Sequence, residues 1–140
     1  MMTSVAFADT PVTSDLPVID LVSPLPGFPE DDSFTLVRLD ETGTLCQLQS
    51  LSHEALQFLV VPAITFFPDY APVVGDDVVD ALEIASADDV LVLLIVRAGA
   101  SLADTTANLR APLLVNLKSR KAAQVVLEDA DLPLAAPLLG

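Results

Sequence analysis

The feature that most constrains this chain is Val90–Val96 (VLVLLIV), its longest unbroken aliphatic run. A helix that crosses a bilayer needs about 20 apolar residues, so this run cannot make one. Polar turns bound it, at Ser86–Asp89 on one side and after Ala98-Gly99 on the other. A short apolar run between turn signals reads as a strand. A strand with no polar position is buried on both faces, or buried on one and covered by a helix on the other.

The neighbouring segments have the pattern of further strands. Val18–Val22 alternates weakly around Asp20 and is broken by Pro24, Pro26, Gly27 and Pro29. Phe34–Leu39 alternates apolar and polar residues, and the turn Asp40-Glu41-Thr42-Gly43 leads into Leu45–Leu51, which makes the clearest hairpin. Alternation in its second strand sets Cys46, Leu48 and Ser50 against the core and Leu45, Gln47 and Gln49 on the other side. Leu56–Val61 is a strand ended by Pro62; Leu113–Leu117 and Ala122–Leu127 form a last hairpin around Lys118–Lys121. Asn116 interrupts an apolar strand, so its amide needs hydrogen-bond partners if that strand is buried.

One segment has helical spacing. In Gly75–Ile84, Asp76 is a candidate cap, Asp77 and Asp80 sit near the positive end, and Val78, Val79 and Leu82 form an apolar stripe. Residues 1–17 read as a frayed end or short edge strand, and Asp129–Gly140, with Pro133 and Pro137, as an irregular tail. The expected product is a single domain with an ordered core over residues 18–127. Its fold class is mainly β, a small antiparallel β-barrel or barrel-like sandwich of about eight strands with one short helix.

Composition narrows the function. Apolar residues make up 52% of the chain and aromatic residues 5%, with no Trp, so the core must be built from Leu, Val, Ile and Ala. Cys46 is the only cysteine, which excludes an intramolecular disulfide and a cysteine-based zinc cage. The first residues lack a basic region and a sustained apolar stretch, and the expected location is the cytoplasm. No membrane association is expected.

The chain carries 20 acids against 6 bases, a net charge of -14. Residues 1–96 hold sixteen acids and Arg38 alone, whereas residues 97–127 hold five bases and Asp104. Phosphates would repel such a chain, so direct nucleic-acid binding is not expected; Arg110, Lys118, Arg120 and Lys121 also lack interleaved aromatics. The acidity fits either ordinary solubility or a basic partner.

No catalytic constellation is present. The G-x-S-x-G, Gly-rich phosphate-loop and H-E-x-x-H motifs are missing, and His53, the single histidine, lies in a polar turn. The pairs Asp31-Asp32, Asp76-Asp77 and Asp88-Asp89 sit beside turns or a helix start, where capping and solubility explain them. The chain reads as a binding protein rather than an enzyme, without a metal or other cofactor.

Two stretches remain. Phe66, Phe67 and Tyr70 cluster in AITFFPDY, either as a core corner turning at Pro68 or as an exposed aromatic patch for a partner. Thr105–Leu117 (TTANLRAPLLVNL) reads as a shaped loop running into a strand, because Asn108 accepts turn geometry and Pro112 pushes Ala111 towards an extended one. Asn108 either fixes that loop through backbone groups or meets a partner.

TANLRAPLLVN followed by KAAQVVL resembles the signature of the flagellar assembly factor FliW family. PLPGF and FFPDY resemble further elements of that family, although Leu25 follows Pro24 where the family often has Gly, and Ala71 stands where it often has an acid. The likeness runs in order from Val18 to Leu127. It implies a protein that binds flagellin in the cytoplasm and, once flagellin is exported, binds the translational regulator CsrA and relieves repression of flagellin synthesis. A flagellin-only chaperone or holdase without a CsrA partner is the alternative. The free protein is expected to be a monomer. The candidate partner-binding residues are Phe66, Phe67, Asp69, Tyr70, Asp76, Asp77, Asp80, Asn108 and Arg110.

Overall fold

A computed structural model describes residues 5–6, 16–22, 33–39, 45–51, 56–67, 70, 72–86, 89–127 and 132–138. Along them run β1 (Val5–Ala6), β2 (Leu16–Leu21), β3 (Ser33–Arg38), β4 (Cys46–Ser50), β5 (Gln57–Pro62) and α1 (Ala63–Phe66). Next come β6 (Val73–Val74), α2 (Asp76–Ala81), β7 (Val90–Arg97), a 3-10 turn at Leu102–Asp104, β8 (Thr106–Ala107), β9 (Leu113–Asn116), β10 (Lys121–Gln124) and β11 (Ala136–Pro137). The loop at Pro24–Phe28, the turn holding His53, and the residues Asp31, Asp32, Asp69 and Asp88 lie outside the described residues.

The sheet closes on itself. From β7 it runs through β5, β4, β3, β2, β10 and β9, and β9 returns to β7 with Val90 opposite Asn116 and Leu93 opposite Leu113. The expected mainly β barrel is therefore what forms, with one correction to its antiparallel character. β10 lies parallel to β2, Lys121 opposite Asp20 and Ala122 opposite Leu21. Hairpins impose antiparallel order, but β2 and β10 are far apart in sequence and no hairpin constrains their direction.

The two faces of β7 enter two different cores. Leu91 and Leu93 turn into the barrel, where they meet Ile19, Phe34, Leu36, Cys46 and Leu48. Val90, Val92, Leu94 and Val96 turn outwards into a second layer with Tyr70, Val74, Leu82, Leu109 and Leu138. This is the burial on both faces that an unbroken aliphatic strand requires. Each such side chain contributes about 1.5–3 kcal/mol by leaving water. The thiol of Cys46 is buried in the barrel, on the side that alternation assigns to it.

Elements of the outer layer were the least visible in sequence. α1 is a single turn where no helix was expected, and β5 includes Pro62 rather than stopping before it. α2 is shorter than Gly75–Ile84, and its N-cap is Gly75, which has no side chain to cap with; Asp76 and Asp77 occupy the first turn. The expected irregular tail is also corrected. β11 pairs with β8, Ala136 opposite Ala107, and both Ala136 and Leu138 are buried in the outer layer. Proline is compatible with an edge strand, and Pro137 removes a donor from this one.

Candidate partner-binding surface

The segment 105–117 fastens the outer layer to the barrel. Thr105 is buried; its Oγ1 donates to the Ser101 carbonyl (3.0 Å) and accepts from the Gly99 amide (3.2 Å). Asn108 Oδ1 accepts from the amides of Arg110 (3.0 Å) and Ala111 (3.2 Å), which closes an Asx-type turn, so Asn108 does fix the loop through backbone groups. The Asn108 amide donates to the Ile95 carbonyl at 3.1 Å. Around this turn the Leu109 amide reaches the Pro133 carbonyl, the Leu127 amide reaches the Arg110 carbonyl, and Arg110 Nε donates to the Leu132 carbonyl at 3.1 Å.

At the other end of the segment, Asn116 finds the partners its burial demands. Nδ2 donates to the carbonyls of Leu82 (2.8 Å) and Glu83 (3.0 Å), while Oδ1 accepts from the amides of Lys118 (2.9 Å) and Ser119 (3.3 Å). Ser119 Oγ adds a third donor, to Leu82 O at 3.0 Å. Leu82 is the C-cap of α2 and Glu83 follows it, so these carbonyls have no partners within the helix. The helix ends in a Schellman arrangement, with the Glu83 amide on Asp80 O (3.1 Å) and the Ile84 amide on Val79 O (2.9 Å). Glu83 takes the left-handed conformation this demands (φ 57°), a position that usually favours glycine.

α2 is thereby held with an acidic ridge outwards. Asp77, Asp80 and Glu83 are exposed and Asp76 is half-buried, while Val78 and Val79 pack inwards on the outer layer. Glu83 pairs with Lys121, and Asp89 lies 3.5 Å from Lys118. The ridge brings Asp76, Asp77 and Asp80 together but not Asn108 and Arg110. Asn116 pairs with Val90 and Asn108 bonds Ile95, so the two asparagines sit about 17 Å apart along β7 at 3.3 Å per residue.

The aromatic cluster is a corner of the core. Tyr70 is buried, and its hydroxyl donates to the Leu109 carbonyl at 2.6 Å. Burial pushes that hydroxyl well above its ordinary pKa, because the phenolate would lose its water. Tyr70 is thus withdrawn as a surface contact; its ring is committed to packing and its oxygen to Leu109. Phe66 and Phe67 are half-buried against the same layer.

Sequence reasoning missed a surface groove of about 390 Å³ at the far end of β7, lined by Ile95, Arg97, Thr106, Asn108 and Leu134 among others. Two of its seven lining residues, Leu134 and Ala135, come from the segment expected to be an irregular tail, and Arg97, the first base after Arg38, was the one legible signal. Among the described residues, no three His, Cys, Asp or Glu side chains group as a metal site, and no helix is long and apolar enough to cross a membrane.

Comparison with known proteins decides the family. The FliW protein family model matches residues 3–138, nearly the whole chain. The chain belongs to the FliW family. It is 39% identical over 113 residues to the flagellar assembly factor FliW of Bacillus pumilus, which covers 81% of this chain and 78% of that one. Against the Bacillus subtilis flagellar assembly factor FliW it is 35% identical, covering 88% and 86% of the two chains. A crystal structure of the flagellar assembly factor FliW superposes with a TM-score of 0.82 at 30% identity, over 95% of this chain and 96% of that one. Neither the relatives nor that structure is an enzyme by name; the chain is a flagellar assembly factor by family.

Proposed function

We propose that this chain binds flagellin in the cytoplasm, acts as a monomer when free, and binds and antagonises CsrA once flagellin has been exported. The observation that carries this reading is the match to flagellar assembly factors over most of the chain. The acidic ridge supports it physically. A protein that binds RNA has a basic surface, and a partner of net charge -14 meets it at a steered rate. Asp76, Asp77 and Asp80 are the proposed CsrA contacts, displayed by a helix whose end is tied to Asn116. Phe66, Phe67, Asn108 and Arg110 keep an exposed part and belong to the proposed contact set; Asp69 belongs to it by sequence.

The test neutralises the ridge. Asp76→Asn, Asp77→Asn and Asp80→Asn together should weaken CsrA binding about tenfold at low salt, chiefly through the association rate, with the far-ultraviolet spectrum unchanged. The difference should shrink as salt rises. Equal affinity of variant and parent at low salt contradicts the assignment.

A further inference from the structure

The far end of β7 has a character opposite to that of the ridge. β7 outruns β9: their pairing ends at Leu93 opposite Leu113, and from Val96 onwards β7 pairs with β8. Side chains alternate along a strand, so Ile95 and Arg97 continue the face of Leu91 and Leu93 that lines the barrel. Ile95 still packs on that interior, whereas Arg97 is exposed beyond it. The groove therefore lies beside the end of β7, where that strand meets β8, Asn108 and the 132–138 segment.

Its lining combines two properties. Leu134 is 60% exposed, one of the most exposed large aliphatic side chains among the described residues, and with Ile95 it gives the groove an apolar wall. Arg97 supplies a cation. Among the described residues no carboxylate lies within ion-pair distance of Arg97, whereas Lys118 and Lys121 are each paired with an acid. In a chain of net charge -14, an arginine with no ion-pair partner among the described residues, beside exposed leucine, is complementary to an acidic apolar group and not to a basic one. The groove is open to solvent, which suits a segment lying across it better than an enclosed small molecule.

We propose that this groove docks an extended peptide segment of a partner protein, one that carries an aliphatic side chain next to a carboxylate. The aliphatic group lies against Ile95 and Leu134, the carboxylate pairs with Arg97, and Thr106 and Asn108 provide the polar wall. The site is at the end of β7 remote from α2, so it stands or falls independently of the ridge.

The experiment uses the full chain, isotope-labelled for amide NMR, and two acetylated pentapeptides, one centred on leucine-aspartate-leucine and one with asparagine in place of the aspartate. Saturable shifts are expected at the amides of Arg97, Thr106 and Ala135, with the aspartate peptide bound up to about fivefold more tightly, as suits an exposed ion pair. Arg97→Gln should erase that preference while leaving the asparagine peptide's affinity unchanged, and Leu134→Ser should weaken both peptides; the spectra themselves report that each variant is folded. No saturable shift at these amides, shifts confined to another surface, a preference that survives Arg97→Gln, or a Leu134→Ser variant that binds both peptides normally would each overturn the proposal.

Discussion

The two sides of the barrel are finished differently. On the β5–β7–β9 side the wall carries a second layer, so Val92, Leu94 and Leu114 are as buried outside the barrel as Leu93 and Leu113 are within it. On the β2–β3 side the outer face meets water: Val18 is 44% exposed, Val37 37% and Leu39 48%. Both walls pack the same interior, and only one has a cover. Among the described residues the cover takes two helices, four two-residue strands and a network of backbone bonds, and it is the cover that displays the acidic ridge and the groove. Isolated valines among Thr35, Gln47 and Gln49 on the bare wall are ordinary surface.

The contrast predicts unequal tolerance. Leu93→Ala, deep in the barrel, should cost about 2–5 kcal/mol by denaturant unfolding, because it leaves a cavity between packed layers. Val37→Thr on the bare wall should stay within about 0.5 kcal/mol of the parent. Equal losses at the two positions would mean that the bare face is covered in solution.

Next in size is Asn116→Ala. It removes two donors from the end of α2 and an acceptor from the 118–119 turn at a site 2% exposed, and should cost about 2–3 kcal/mol. Amide exchange in α2 should rise more than in β3, since the helix loses its anchor while the bare wall does not. A uniform increase across both would show that Asn116 supports the barrel as a whole.

A smaller loss than at Leu93 or Asn116 belongs to Tyr70→Phe, which deletes the bond to Leu109 and should cost about 1 kcal/mol at neutral pH. It also carries a pH signature. The folded-state pKa of Tyr70 is raised above the ordinary value of 10.0, so the unfolded chain loses this proton first, and stability falls as pH rises past that value. Tyr70→Phe should lessen the alkaline loss measured by urea unfolding, and an unaltered pH profile would place the phenol in contact with water.

Sequence legibility followed the same division. The barrel could be read because its strands are local patterns: the unbroken run of β7, the alternation of β3 and β4, and the lone amide of Asn116 that required partners. The cover could not, because its elements are set by distant contacts. α1 contains Ile64, Thr65 and Phe66, which favour strands by propensity, and one turn is too short to show a helical period. β6, β8 and β11 are two residues long and exist through their partners. The acids of α2 were visible as a helix start, but their anchoring was not, since the bond from Asn116 to Leu82 spans 34 residues of sequence. The choice between core corner and exposed patch for Tyr70 stayed open for the same reason, its hydrogen-bond partner Leu109 lying 39 residues away.

The central claim is that partner recognition sits on the covered side. Hydrogen exchange of the chain alone and with purified CsrA measures this directly. Slowed exchange across 76–84, with β2 and β3 unchanged, is the predicted footprint. Protection of the Val18, Val37 and Leu39 face with α2 unchanged would contradict it.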